Sequence, residues 1–167
     1  MRQIIRQREI VADTWRYAGE DGAGPVVQGL SEVLAAKPAH TAPAGGLGVR
    51  LDPADEVEKL APHLGRVALV VLHFPKDGEG RGFTQAQLLR QRYRYAGELR
   101  AAGAIKRDYL FFLARCGCDA FDLHPAEDLQ ASLAYFNTFS AIYQPGSDRG
   151  LQLRARGRSD TSSVNKP

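Results

Sequence analysis

The run Val67-Ala-Leu-Val-Val-Leu-His-Phe74 constrains this chain more than any other segment, because it is apolar almost without interruption. A strand with one wet face alternates apolar and polar residues. A strand without alternation is covered on both faces, as in parallel sheets flanked by helices. The surrounding sequence agrees. Leu47 to Leu51 reads as a strand, and Asp52-Pro53 opens a helix, with Asp52 as N-cap and Pro53 at the first helical position. Its apolar stripe is Val57, Leu60, Ala61 and Leu64, and Gly65 ends it. After the central run, Thr84-x-x-Gln87 reads as a capping box, with a helix running to about Ala96 and stopping at Gly97. Glu98 to Ile105 gives a strand and a turn, Ile105 to Cys116 a helix stopped by Gly117, and Ala120 to Leu123 a strand. His124-Pro125 opens a last helix with the stripe Leu129, Leu133, Phe136 and Phe139 or Ser140, ending near Gln144-Pro145.

Strand and helix thus alternate about four times over residues 47–144, which predicts right-handed crossovers and a parallel sheet. Four units are too few for a closed barrel of eight. The expected fold is a single α/β domain with an open, mostly parallel, half-barrel-like sheet. Residues 1–46 supply an N-terminal β-hairpin-like extension (Ile4-Ile5, Ile10-Val11, Trp15 and Tyr17), a short helix from Ser31 and a Pro/Ala/Gly connector. Residues 145–167 read as a basic, aperiodic tail. Open sheet edges favour a homo-oligomer or a hetero-complex.

With 44% hydrophobic and 25% charged residues, the chain is an ordinary globular one. No apolar run approaches the roughly 20 residues that span a bilayer, and no signal-peptide core follows Met1-Arg2-Gln3. A cytoplasmic protein without membrane contact is expected. The net charge is +3, but its distribution says more. From Arg81 to Arg107 seven Lys or Arg residues stand against one acid, Glu98, and Arg149, Arg154, Arg156 and Arg158 form a second cluster. Two readings are open: solvated helix faces, or a positive field for an anionic ligand or an acidic protein. Nucleic acid is not expected. Cys116 and Cys118 have neither C-x-x-C nor zinc-site spacing, and the four histidines are scattered. No metal and no cofactor are expected.

Ligands of parallel sheets bind beyond the carboxyl ends of the strands, often against helix N-termini. That places a site at the loop after Phe74. Gly78, Gly80 and Gly82 would let the backbone approach an oxyanion, Arg81 would add charge, and Thr84 would fix the helix start. Arg90 and Arg94, one helical turn apart, would extend the basic face. The competing reading is a glycine-rich turn whose arginine pairs with Asp77 or Glu79. Arg100 shares a strand face with Glu98, so an ion pair is expected there. His73, Asp119 and Cys116 are the candidate catalytic groups. His73 lies near the carboxyl end of the central strand. Cys116 falls in the last turn of a helix, where the dipole disfavours a thiolate, and is expected to be a buried small hydrophobe.

Five motifs together resemble a bacterial family of uncharacterised proteins, domain-of-unknown-function family 934. They are Phe74-Pro75, Gly80-Arg81-Gly82-Phe83-Thr84, Leu88-Leu89-Arg90-Gln91-Arg92, Gly97-Glu98-Leu99-Arg100-Ala101-Ala102-Gly103, and Arg115-Cys116-Gly117-Cys118-Asp119-Ala120-Phe121. The resemblance covers residues 4–144, most strongly 67–143. It implies an accessory protein of assimilatory sulfate and sulfite reduction, or alternatively an oxidoreductase or other enzyme acting on a sulfur or phosphate oxyanion. A sulfite- or nitrite-type reductase, a ferredoxin-type carrier or a small oxyanion would be its partner, and a structural dimer is the third alternative. The chain departs from the family pattern at three places. Ala104 stands where an Asp is expected, Tyr109 where a Gln is expected, and Cys118 where an aromatic is expected.

Overall fold

The computed structural model describes residues 2–36 and 46–137. Within them the chain forms one α/β domain around an eight-stranded sheet. In chain order the elements begin with β1 (Gln3–Arg6), β2 (Glu9–Ala12), β3 (Arg16–Tyr17), β4 (Val26–Gly29), α1 (Leu30–Ala35) and β5 (Leu47–Leu51). Then come α2 (Val57–Leu60, prolonged by tighter turns over Ala61–Arg66), β6 (Val67–Phe74) and α3 (Arg81–Gln87, ending in a π-helical turn over Leu88–Arg92). The last are β7 (Glu98–Gly103), α4 (Leu110–Cys116, entered through Arg107–Tyr109), β8 (Ala120–Asp122) and α5 (Leu129–Ser132, continued by Leu133–Asn137).

The strand order is β2-β1-β8-β7-β6-β5-β4-β3. Strands β3 to β8 are parallel, and β1 joins β8 antiparallel with its hairpin partner β2 outside it. The apolar run Val67–Phe74 is β6, with β5 on one side and β7 on the other, so the expected central parallel strand is present. The N-terminal strands do form a hairpin, but it is part of the sheet and not an appendage.

The two edge strands are β2 and β3, and only Asp13, Thr14 and Trp15 separate them in the chain. Four Cα steps span at most about 15 Å, so the edges must face each other across a short gap. The sheet is therefore curled into a half-barrel. Its convex face packs against the helices through a core that includes Val49, Leu51, Val70, Leu72, Phe74, Leu99, Ala101 and Phe121. Its concave face carries a smaller cluster of Trp15, Val27, Leu69, Val71 and Ala102.

The concave face also holds charge. Arg100 is 0% exposed and the Asp13 side chain 1%. Asp13 Oδ2 accepts from Arg100 Nη1 at 2.9 Å and from Arg2 Nη2 at 2.6 Å, while its Oδ1 accepts from the Trp15 amide at 3.1 Å. Arg100 also donates to Glu98 Oε1 from Nη2 at 2.8 Å, so the expected ion pair is present inside a larger network. This knot ties the bridge between the sheet edges to β1 and β7.

Several helix starts differ from expectation. Asp52 does not cap α2, which begins at Val57 after a turn over Asp52–Asp55. Thr84 and Gln87 lie inside α3, which starts at Arg81 after Gly80, so they form no capping box. The last helix starts at Leu129, capped by Asp128 Oδ1 accepting from the Gln130 and Ala131 amides at 2.8 and 3.2 Å, and His124-Pro125 forms a turn before it. The connector, the C-terminal tail with its basic cluster, and Phe139 and Ser140 fall outside the described residues, apart from the connector's two ends.

Candidate functional site

Asp52, His73, Ala102 and Asp122 lie at the carboxyl ends of β5, β6, β7 and β8. His73 is in register with Ala102, and Ala102 with Asp122. Ala102 belongs to the concave cluster, so all three face the inside of the curl. Arg50, in register with Val71, occupies the same face one row lower.

Local turns put these groups together. The Asp52 amide donates to Asp55 Oδ2 at 2.8 Å, and the Asp55 amide donates back to the Asp52 carbonyl at 2.9 Å. Gln85 from α3 donates through Nε2 to the Asp52 and Asp55 carbonyls, both at 3.0 Å. The backbone of this turn is thus satisfied, and the Asp52 carboxylate reaches sideways. Its Oδ1 lies 2.7 Å from His73 Nδ1, and its Oδ2 accepts from Arg50 Nη2 at 3.2 Å. The three side chains are 32–44% exposed, so water or a ligand reaches them. Asp52 holds the ring of His73 through Nδ1, and an imidazole held at one nitrogen can exchange a proton at the other. Arg50 supplies a full positive charge beside it.

A second group closes the other side of the mouth. Asp122 Oδ2 accepts from the Tyr17 hydroxyl at 3.2 Å and lies 3.6 Å from Arg2 Nε. Burial raises the Asp122 carboxyl above its ordinary range. Burial, with the Asp122 charge beside it, pushes the Tyr17 phenol up to about 12.

The loop singled out by sequence borders this mouth without forming an anion cradle among the described residues. Arg81 Nη1 reaches the Pro53 carbonyl at 3.5 Å, next to Asp52, and the Arg81 amide donates to Glu79 Oε1 at 3.2 Å. Gly82 serves packing. A Cβ there would come within 2.3 Å of Phe74 Cζ, so α3 can lie on the end of β6 only through a glycine. Gly78 supplies a left-handed turn at φ +80°, and Gly80 and Thr84 are exposed. Asp77 pairs with Lys106 and the Tyr109 hydroxyl, which pins the loop to the start of α4. Both contacts hold the Asp77 carboxyl below its ordinary range.

The remaining candidates lie elsewhere. Arg90 donates to the carbonyls of Gly117 (2.9 Å), Tyr95 (2.6 Å) and Gly97 (2.9 Å), and to Asp119 Oδ2 (3.0 Å). With its side chain 11% exposed, it is a structural clamp. Arg94 is not one turn along a shared helix face: the helical segment ends at Arg92, and Arg94 has φ +54°. Asp119 accepts from the Leu99 amide at 2.8 Å and lies at the amino ends of β7 and β8, the opposite edge of the sheet from His73. Cys116 is buried, as expected, and accepts from Gln87 Nε2 at 3.7 Å. Burial raises the Cys118 thiol well above its ordinary range.

His73 is among the candidates named from sequence, and Arg50, Asp52 and Asp122, which share its end of the sheet, are not. Arg50 and Asp52 sit two apart at a strand end, a spacing that puts both on one face. That signal was available, but the Asp-Pro pair looked like a helix start.

The basic stretch from Arg81 to Arg107 is largely neutralised by acids brought from elsewhere. Arg92 lies 3.9 Å from Glu58, Arg107 3.6 Å from Glu127, and Lys106 beside Asp77. Only Arg81 and Arg94 of the seven lack an acidic side-chain partner among the described residues. No described helix is long and apolar enough to cross a membrane. No cluster of three metal-ligating side chains occurs among the described residues.

The model of a bacterial protein family of unknown function, DUF934, matches residues 48–153. The chain belongs to this family. The matched region covers all but the first residue of β5 and the elements described after it, including Arg50, Asp52, His73 and Asp122. A search among curated proteins found no match.

Proposed function

We propose that this family member holds a small oxyanion in the mouth of its curled sheet, and that His73 exchanges a proton with it. The observation that carries the reading is the 2.7 Å contact between His73 Nδ1 and Asp52, with Arg50 on the other oxygen of the same carboxylate. The group is partly exposed at the carboxyl ends of two adjacent parallel strands, where ligands of such sheets bind. Arg50 supplies charge, Asp52 holds the ring, and His73 Nε2 is the atom that meets the ligand. Sulfur oxyanions are the class favoured by the motifs described above, and assimilatory sulfate and sulfite reduction is the proposed setting.

Calorimetric titration with sulfite, sulfate and phosphate tests this. The parent should bind at least one of them, and Arg50→Ala should weaken it about tenfold or more, the effect of losing one charge-assisted contact. Affinity indifferent to Arg50 overturns the reading.

A second reading concerns a protein partner such as a sulfite- or nitrite-type reductase or a ferredoxin-type carrier. Lys76, Gly78, Gly80 and Arg81 are exposed, and among the described residues the Arg81 guanidinium has only its 3.5 Å contact to Pro53. Affinity purification of the tagged protein from sulfate-grown cells, with and without Arg81→Ala, separates this surface from the oxyanion site. Loss of a co-purifying reductase on that substitution supports it, and an unchanged set of partners rejects it.

A further inference from the structure

We infer that Gln85 is a positioning residue of this site: from α3 it holds the Asp52–Asp55 turn so that the Asp52 carboxylate meets His73 Nδ1, and so decides which ring nitrogen is free to exchange a proton. This rests on the proton-exchange reading above and names the residue that keeps that site in working geometry.

The two partners of the 2.7 Å contact are held to different degrees. His73 lies within β6, in register with Ala102 on β7. Asp52 is the first residue beyond β5, and the pairing of β5 with β6 stops at Leu51 and Leu72. The ladder therefore does not fix Asp52. Among the described residues, only α3 reaches the backbone of its turn from outside. Gln85 Nε2 donates to the Asp52 and Asp55 carbonyls, both at 3.0 Å, and the exposed Arg81 reaches the Pro53 carbonyl at 3.5 Å. Gln85 makes the two shorter contacts.

The placement of Gln85 suits this task. It is 5% exposed and lies on the buried face of α3 with Gly82 and Ala86. That face sits on the end of β6 because Gly82 makes room for the Phe74 ring. Burying an amide is unfavourable unless its polar groups are hydrogen-bonded. Here Nε2 gives to both carbonyls of the turn, which fixes the orientation of the amide, and Oε1 has no partner among the described residues. A methionine would fill the same space without an orphaned acceptor. The use of this side chain is thus its pair of donors.

The consequence falls on the His73 ring. A carboxylate only accepts, so with Asp52 on Nδ1 the neutral ring carries its proton there and Nε2 is the basic nitrogen. Once the turn slackens, the ring reverts to the mixture of tautomers that a free imidazole has in water, mainly the Nε2–H form.

Long-range proton–nitrogen spectra of the full chain at alkaline pH, where the ring is neutral, read the tautomer without any ligand. In the parent, His73 should be chiefly the Nδ1–H form. In Gln85→Met, of similar length but without donors, the Nε2–H form should become the major one. Calorimetric titration of the same variant should show sulfite bound about tenfold more weakly, the scale of effect that supporting contacts have around other sites. A lower urea midpoint with the parent's tautomer and affinity would make Gln85 a packing residue only and overturn the inference. A parent whose His73 is already the Nε2–H form overturns it too. Failure of the parent to bind sulfite, sulfate or phosphate removes the oxyanion reading, and the tautomer comparison alone then decides the role of Gln85. Should Gln85→Met fail to fold, Gln85→Asn, whose amide is one methylene too short to reach both carbonyls, is read in the same way.

Discussion

At the scale of single residues, a residue type noted in the sequence can serve a different purpose in the fold. Gly82 was singled out as a ligand-approach glycine, yet its missing Cβ makes room for Phe74. Gly82→Ala should therefore destabilise the fold by roughly 1–3 kcal/mol through overpacking, while Gly80→Ala, with nothing within 4 Å of its Cβ, should be close to neutral. Urea unfolding of the two variants measures the difference. Tyr17 offers a second check. Its folded value, about 12, stands above the ordinary 10, so its contribution to stability is complete below pH 10 and is lost as pH rises towards 12. The native absorbance titration at 295 nm, minus that of Tyr17→Phe, should show one phenol ionising near pH 12. Ionisation near pH 10 would mean that burial and the Asp122 charge do not hold the phenol protonated.

At the scale of elements, period and punctuation in the sequence located β5, β6 and β8 almost to the residue, because buried strands have no ambiguous faces. Helix starts were harder to read. Asp52-Pro53 and Thr84-x-x-Gln87 satisfy the local rules for a start, but Gln85 binds the 52–55 turn and Phe74 packs on Gly82, so tertiary contacts decide both. The run of arginines was misleading for a related reason: sequence shows the neighbours of a charge along the chain, not those across the fold. Arg90 is the clearest instance. Arg90→Ala would leave three carbonyls and Asp119 without their donor and should cost about 3 kcal/mol. Arg90→Lys should recover only part of this, since one ammonium cannot reach four acceptors in a fork. Thermal melts of both variants test the clamp. The β1–β2 turn is a further case. Gln7 and Arg8 both have positive φ, at 51° and 68°, which costs a non-glycine residue about 1 kcal/mol or more. Replacing the pair with Asn-Gly should stabilise the protein by about 1 kcal/mol, read as a higher urea midpoint. An unchanged midpoint would deny the strain.

At the scale of the whole molecule, the curl of the sheet is what sequence could not supply. It was legible that the core was a parallel half-barrel. It was not legible that β1 would join β8, nor that Asp13 to Trp15 would bridge two edges, because such pairings depend on residues a hundred positions apart. The curl puts the strand-end side chains of His73, Ala102 and Asp122 on its concave face, where the proposed oxyanion would lie. The buried Asp13 is its fastener, and Asp13→Ala would leave Arg100 charged and partly unpaired at 0% exposure. The expected loss is about 3–5 kcal/mol. The most direct test of the central claim, that Arg50, Asp52 and His73 form an oxyanion site, is a long-range proton–nitrogen NMR titration of the histidine rings with sulfite. Saturable shifts of the His73 ring nitrogens are expected, weakened by Arg50→Ala, with the other three histidines unmoved. Shifts absent from His73, or equal in all four rings, would contradict the claim.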